Sequence, residues 1–192
     1  MENSITELVD YSKDPEYVME CVKAFLKCKL RKSPAENWCV VMDIDETLLY
    51  TLEDTEEVAL QPVGRAIYSL CRRLKLDVVL ITARVANRAS RDYLLQQLET
   101  LDYADHAALF MVDKQHEDDD SPAACKFASR MEYGKPVLLN VGNRCCDLFT
   151  VDEEMDPVLA SLNPKAYYFF VGQEPDVLAL KLPTDCPQYE TE

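Results

Sequence analysis

No apolar run in this chain approaches the roughly 20 residues needed to cross a bilayer, so a membrane-spanning helix is not expected. The opening residues, Met1-Glu2-Asn3-Ser4, carry neither a positive n-region nor an apolar h-region, and no secretory signal is visible. That points to a cytoplasmic setting, where thiols stay reduced. The eight cysteines include no C-x-x-C pair, which removes the usual zinc and dithiol patterns. They read as small core hydrophobes with free thiols. Cationic excess is missing too. The formal net charge is -15; residues 1–32 hold six acidic and six basic side chains, so all the excess lies in residues 33–192. Such a surface repels a phosphate backbone and disfavours nucleic acid as a partner. No internal repeat is visible. What is left is a chain of 192 residues with an ordinary apolar share, enough for a single domain over 1–192 with its own core.

Periodicity supplies the elements. Residues 1–36 read as an N-terminal helical segment, packed on or appended to the core. Within it Pro15–Leu30 is amphipathic, with Val18, Cys21, Val22 and Phe25 at i, i+3, i+4, i+7. Lys27, Lys29, Arg31 and Lys32 follow, where cations complement the helix dipole, and Pro34 ends it. The cluster could instead meet a partner, but capping suffices to explain it. Strands are expected at Trp38–Asp43, Val78–Thr82, Ala107–Val112, Pro136–Val141 and Ala166–Val171, with an edge segment at Val177–Leu182. Helices are expected from Gln61-Pro62 to about Leu74, at Arg88–Leu101 and at Pro122–Met131. Strands separated by helices imply right-handed βαβ units and a parallel sheet covered on both faces.

Four stretches carry chemistry. Val40-Val41-Met42-Asp43-Ile44-Asp45-Glu46-Thr47 is an apolar strand ending in two carboxylates at i, i+2. Alternation lets both share one face, in the crevice where open α/β sheets bind ligands. Paired carboxylates there share a proton or hold a cation. Val78 to Arg84 is a second buried strand, ending in Thr82 and followed by a cation. A hydroxyl there can donate to a phosphoryl oxygen; alternatively Thr82 caps the next helix. Lys126 and Arg130 lie four apart, on one helix face. Lys114 and Lys135 compete for that role, though Lys135 falls at the wrong end of its strand. Last, Val137 to Leu148 is a strand ending at Gly142, followed by Asn143 and Asp147. The acidic run Glu117 to Asp120 reads as a solvated loop.

Taken together, these stretches resemble the haloacid dehalogenase (HAD) superfamily, in particular its acid-phosphatase subfamily of class B acid phosphatases and plant vegetative storage proteins. The segments that carry it are Asp43-Ile44-Asp45-Glu46-Thr47, Pro62 at a helix start, Thr82-x-Arg84, Lys126-x-x-x-Arg130, Gly142-x-x-x-x-Asp147-Leu148 and Leu180-Lys181-Leu182-Pro183. The likeness covers about Asn37–Pro183. It implies an HAD-like, doubly wound Rossmannoid sheet in three α/β/α layers.

The resemblance also implies a mechanism. Asp43 would attack phosphorus and form an aspartyl-phosphate, while Asp45 acts as general acid and then base. Thr82 and Lys126 would hold the phosphoryl oxygens, with Arg84 and Arg130 in substrate or supporting contacts. Mg²⁺ would bind Asp43, the Asp45 carbonyl, Asn143 or Asp147. The chain departs from the family at Gly142-Asn143, where Gly-Asp is usual; an amide oxygen can still ligate, without the charge. Asp43 to Thr82 spans 39 positions and Thr82 to Lys126 spans 44, largely used by core elements, so no sizeable cap domain is expected. The loop Tyr50–Leu60, with Glu53, Asp54, Glu56 and Glu57, could partly cover the site. Expected substrates are phosphorylated small molecules or phosphoproteins. The alternative is a non-catalytic or weakly active binding or storage protein on the same fold, with its metal site altered at Asn143.

Overall fold

Val40 and Met42 point to one side of their strand, Cys39 and Val41 to the other, and all four are buried. A strand buried on both faces must lie inside a covered sheet. In the computed structural model, which describes residues 5–51, 58–113, 122–144, 147–148, 162–163, 165–172 and 177–183, this strand sits near the centre of a seven-stranded sheet.

The elements in chain order are β1 (Ile5–Ser12), α1 (Pro15–Leu30), β2 (Cys39–Met42), β3 (Leu49–Thr51), β4 (Val58–Leu60), α2 (Pro62–Arg73), β5 (Asp77–Ala86), α3 (Arg88–Thr100), β6 (Ala108–Asp113), α4 (Pro122–Tyr133), β7 (Val137–Gly142), β8 (Tyr167–Gly172) and β9 (Leu178–Lys181). The main sheet runs β1-β8-β9-β7-β2-β5-β6. From β9 to β6 every pairing is parallel, whereas β8 is antiparallel to both β9 and β1. The result is a mostly parallel α/β sheet with helices on both faces. Val40, Met42, Val78 and Leu80 pack with Val18, Val22 and Leu26 of α1, Val63 and Ile67 of α2, and Leu94 and Leu98 of α3. Cys39, Val41, Val79 and Ile81 pack with Tyr133 of α4 and with Phe110 and Val137.

Local chemistry starts the helices. Asp14 accepts from the Glu16 backbone N–H at 2.9 Å ahead of Pro15. Gln61 accepts from Gly64 at 2.5 Å ahead of Pro62. Asn87 and Ser90 form a capping box at α3. Asn87, not Thr82, is therefore the cap of that helix. No disulfide joins the described cysteines; Cys39 and Cys71 are buried and Cys28 is exposed. No helix among the described residues is long and apolar enough to cross a membrane.

Three expectations need correction. Residues 1–36 are not solely helical, because β1 joins the sheet edge through β8. Its partner is more than 150 positions away in sequence, and the pairing is interrupted by two register shifts, so no local pattern announces it. The sheet is accordingly not all parallel. Residues Leu178–Lys181 do not form an edge: β9 lies between β7 and β8 with all four residues buried. A short apolar run signals burial but not position in the strand order. Between β2 and α2 the described residues hold only the small hairpin β3–β4. Glu53, Asp54, Glu56 and Glu57 lie outside the described residues, as do Lys114 and the run from Glu117 to Asp120.

Candidate active site

β2 is hydrogen bonded to β7 one residue beyond its own end, through the Asp43 N–H to the Val141 carbonyl at 3.0 Å. The chain then folds tightly. The Ile44 carbonyl accepts from the N–H groups of Thr47, Leu48 and Leu49, and Glu46 takes a left-handed φ of 59°. A left-handed backbone at a residue other than glycine is uncommon and is retained where the surroundings over-determine it. The turn leaves Asp43 buried inside and Asp45 part-exposed at the mouth. It also leaves the Thr47 carbonyl against α2, where a Cβ on Gly64 would collide with it. Only glycine lets the two backbones approach so closely.

The inner part of the site is a buried triangle of charge. Lys126, projecting from α4, donates to Asp43 Oδ1 at 2.6 Å and also to Asp147 Oδ1. Side-chain exposures are 4% for Lys126, 6% for Asp43 and 1% for Asp147. Asp147 reaches this point because Gly142 has no Cβ to obstruct it. Its second oxygen accepts from the Arg144 N–H at 2.8 Å, and the second oxygen of Asp43 accepts from the Thr47 hydroxyl at 3.4 Å. Two carboxylates facing one ammonium leave an excess of negative charge. Burial, reinforced by the Asp147 charge, pushes the Asp43 carboxyl up to about 7 against the pull of Lys126. Burial draws the Lys126 ammonium down, but the two carboxylates outweigh it and hold it above its ordinary value.

The outer part is a clamp on Asp45. Arg84 approaches that carboxylate through Nε at 3.1 and 3.0 Å and through its terminal NH2 group at 2.5 Å. Thr82 adds a hydroxyl hydrogen bond to Asp45 Oδ2 at 3.2 Å. β5 continues past Thr82, and its register with β6 shifts between Thr82 and Val85. Such an irregularity re-aims the side chains within it, and Arg84 is one of them. Gln97 on α3 accepts from Arg84 at 3.2 Å and donates to the Tyr93 hydroxyl at 3.2 Å. A polar chain therefore runs from the exposed Tyr93 ring to Asp45.

Asp43, Asp45, Thr82, Arg84, Lys126, Arg130, Asn143 and Asp147 thus gather toward the carboxyl end of the parallel strands, and Arg130 is in supporting contacts. Arg130 faces inward. It donates to Asn140 Oδ1 at 3.2 Å and to the Asp147 carbonyl, so it positions β7 and Asp147. Asn143 is buried directly after β7. Lys135 pairs with Asp77 at the opposite end of the sheet. Sequence reading assigned no role to Thr47, Gly64, Gln97, Asn140 or the buried Lys181. Lys181 is paired in register with Gly142 and donates to the Leu182 carbonyl at 3.2 Å. Among the described residues no three carboxylate, thiol or imidazole side chains converge as a metal site. The buried ligand-type groups are oxygens, the carboxylates of Asp43 and Asp147, with Asn143 buried directly after β7, and two carboxylates sharing one ammonium favour a cation. That chemistry fits Mg²⁺, a hard cation that keeps several waters and few protein ligands.

No protein-family model matches the chain, and no curated protein matches it. A chain in the solved structure of a Pnkp1/Rnl/Hen1 complex is similar in fold, with 18% sequence identity and a TM-score of 0.50 over 66% of the present chain. The match spans 44% of that other chain, so the likeness is one of α/β architecture over part of its length.

Proposed function

We propose that this chain is a Mg²⁺-dependent phosphatase of the haloacid dehalogenase superfamily, hydrolysing phosphomonoesters through an aspartyl-phosphate on Asp43. The observation that carries this reading is the buried Asp43 carboxylate at the end of β2, joined to Asp147 through the Lys126 ammonium. A carboxylate held there by one cation, with Thr82 and Asp45 at the mouth, is arranged for attack on a phosphoryl group.

In the first step an Asp43 oxygen bonds to phosphorus while the ester P–O bond breaks. The leaving oxygen takes a proton from Asp45. In the second step Asp45 takes a proton from water, the water oxygen bonds to phosphorus, and the Asp43–phosphorus bond breaks to release phosphate. Lys126 and Thr82 balance charge on the phosphoryl oxygens. Asp43, the Asp45 carbonyl, Asn143 and Asp147 would hold Mg²⁺, which supplies positive charge against the repulsion between a carboxylate and a phosphate dianion. For the acid step Arg84 must loosen from Asp45, and an incoming phosphate dianion competes for the same guanidinium. Substrates are small phosphomonoesters or phosphoproteins that enter an uncapped mouth; nucleic acid is disfavoured by the charge. The described cysteines, none of them in a disulfide, suit a reducing cytoplasm.

Hydrolysis of p-nitrophenyl phosphate with and without Mg²⁺, in the wild type and in Asp43→Asn, tests this. Metal-dependent turnover that vanishes in the variant is expected. Equal rates in both proteins would refute the covalent route. A second reading, a binding or storage protein with a decayed site, draws on Asn143 and on the Arg84 clamp. It requires beryllofluoride binding without turnover.

A further inference from the structure

Three cations along α1 and its C-cap enter none of the ion pairs among the described residues. Lys23, Lys27 and Arg31 are exposed and follow one another at four-residue intervals, hence along one side of the helix. The ion pairs among the described residues engage Arg65, Arg72, Arg84, Arg88, Lys126 and Lys135 instead. The helix dipole explains cations of the last turn, such as Lys27, but its influence has faded by Lys23, two turns before Arg31. Lys29, by contrast, rests over the Phe25 ring at 5.5 Å. Lys23, Lys27 and Arg31 rim a groove between α1 and the end of α2. Leu30, Leu70 and Leu74 line it, and its volume is about 310 Å³.

The groove is remote from Asp43. The first turn of α2 abuts Thr47 in the candidate site, while Leu70 and Leu74 lie at its other end, where the chain turns into β5. Twelve residues of helix, about 18 Å at 1.5 Å per residue, separate the two ends. The surrounding chain carries net charge -15, so the groove is a local reversal of sign.

We infer that this groove docks an acidic amphipathic helix of another protein. The apolar floor calls for leucine-like side chains and the rim for carboxylates. Four-residue spacing of the cations, about 6 Å along α1, matches carboxylates at i, i+4 on a helix laid beside it. A bilayer fits less well, because the acidic remainder of the chain opposes approach to an anionic leaflet. This surface is independent of the phosphatase reading.

The test uses a labelled synthetic peptide of about 16 residues, long enough to form a helix. Leucines occupy one face, with glutamates at i, i+4 beside them. A control of the same composition has the two residue types shuffled. Fluorescence anisotropy should register saturable binding of the patterned peptide only. Lys23→Glu/Lys27→Glu should weaken it by at least about tenfold, as should raising the salt to several times physiological strength. Leu74→Ser, a milder change at the half-buried floor, should weaken it without reducing the salt dependence. Circular dichroism and p-nitrophenyl phosphate turnover should stay at wild-type levels in the double variant. Absence of binding, equal binding of the shuffled peptide, or an undiminished double variant would each overturn the inference. So would attachment to phosphatidylserine vesicles, or self-association of the chain that depends on Lys23 and Lys27, if the patterned peptide fails.

Discussion

At the amino end of the parallel strands, Lys135 and Tyr133 both reach Asp77; at the carboxyl end, the one ammonium of Lys126 is shared by Asp43 and Asp147. The first group is part-exposed, with 37% of Lys135 and 30% of Asp77 accessible, and its single carboxylate has two donors. Partial burial pushes the Asp77 carboxyl up, but hydrogen bonds from Lys135 and Tyr133 more than offset this and hold it below its ordinary value. The second group is almost fully buried and short of positive charge, and Asp43 is driven the other way. The same residue types, Lys and Asp, make a strand-end fastening at one pole and a buried carboxylate with a raised pKa at the other. The difference lies in burial and in the sharing of one ammonium between two carboxylates, not in residue identity.

Substitution of the two aspartates should separate the poles most strongly. Asp43→Asn should reduce p-nitrophenyl phosphate turnover by a factor on the order of 10³ or more, since it removes the proposed nucleophile. Asp77→Asn should leave turnover within about twofold. Comparable losses in the two variants would dissolve the contrast between them.

Removal of the lysines should discriminate next. Lys126→Met removes the ammonium shared by two buried carboxylates and should cost about 3–5 kcal/mol in urea unfolding. Lys135→Met loses a part-exposed pair and should cost about 0–1 kcal/mol.

The pH dependence of stability should have opposite sign at the two poles. Asp77, lowered in the fold, contributes stability that is present above the unfolded carboxylate pKa and is lost as pH falls through its folded value. Asp43, raised to about 7, contributes stability that is complete below the unfolded pKa of about 4 and is lost as pH rises through its folded value. In EDTA, the melting temperature of the wild type should therefore fall relative to Asp43→Asn as pH rises from about 4 to 7. Relative to Asp77→Asn it should fall as pH drops below about 4. Parallel curves would mean that neither carboxyl is displaced.

The smallest effect concerns the metal. Asn143→Asp adds a carboxylate beside the pair already short of positive charge. Mg²⁺ affinity measured by calorimetry should rise about tenfold, while the metal-free protein melts at a lower temperature than the wild type. Unchanged affinity would assign the metal to Asp147 without help from residue 143.

Much of this contrast is legible in the chain itself. The apolar run Val40–Met42 ending in Asp43 announces a covered strand with carboxylates at its exit, and the 3.6-residue periods of α2 and α3 follow from their apolar positions. The gathering of Asp43, Asp45, Thr82, Lys126, Asn143 and Asp147 at one sheet end follows from βαβ connection rules. Other features leave no local trace. The irregularity that turns Arg84 onto Asp45 is a property of β5 against β6, not of either strand alone. Gln97 resembles any polar residue on a helix exterior. The sequence leaves Arg130 between substrate and supporting contacts because its partners, Asn140 and the Asp147 carbonyl, belong to a different element. β1 finds β8 only after the intervening fold exists.

The interior position of β9 bears on how the protein is made. Parallel β7 and antiparallel β8 both pair with this strand, which lies near the carboxyl end of the described chain. During synthesis, β2, β5, β6 and β7 emerge before β8 and β9 and can assemble as a four-stranded sheet whose β7 edge awaits its partner. That edge stays open until residues 178–181 leave the ribosome, and β1 must wait for β8 in turn. Closure of the sheet is thus a late, long-range event of the slow, contact-order-limited kind, with a nascent intermediate whose unpaired edge is a target for chaperones.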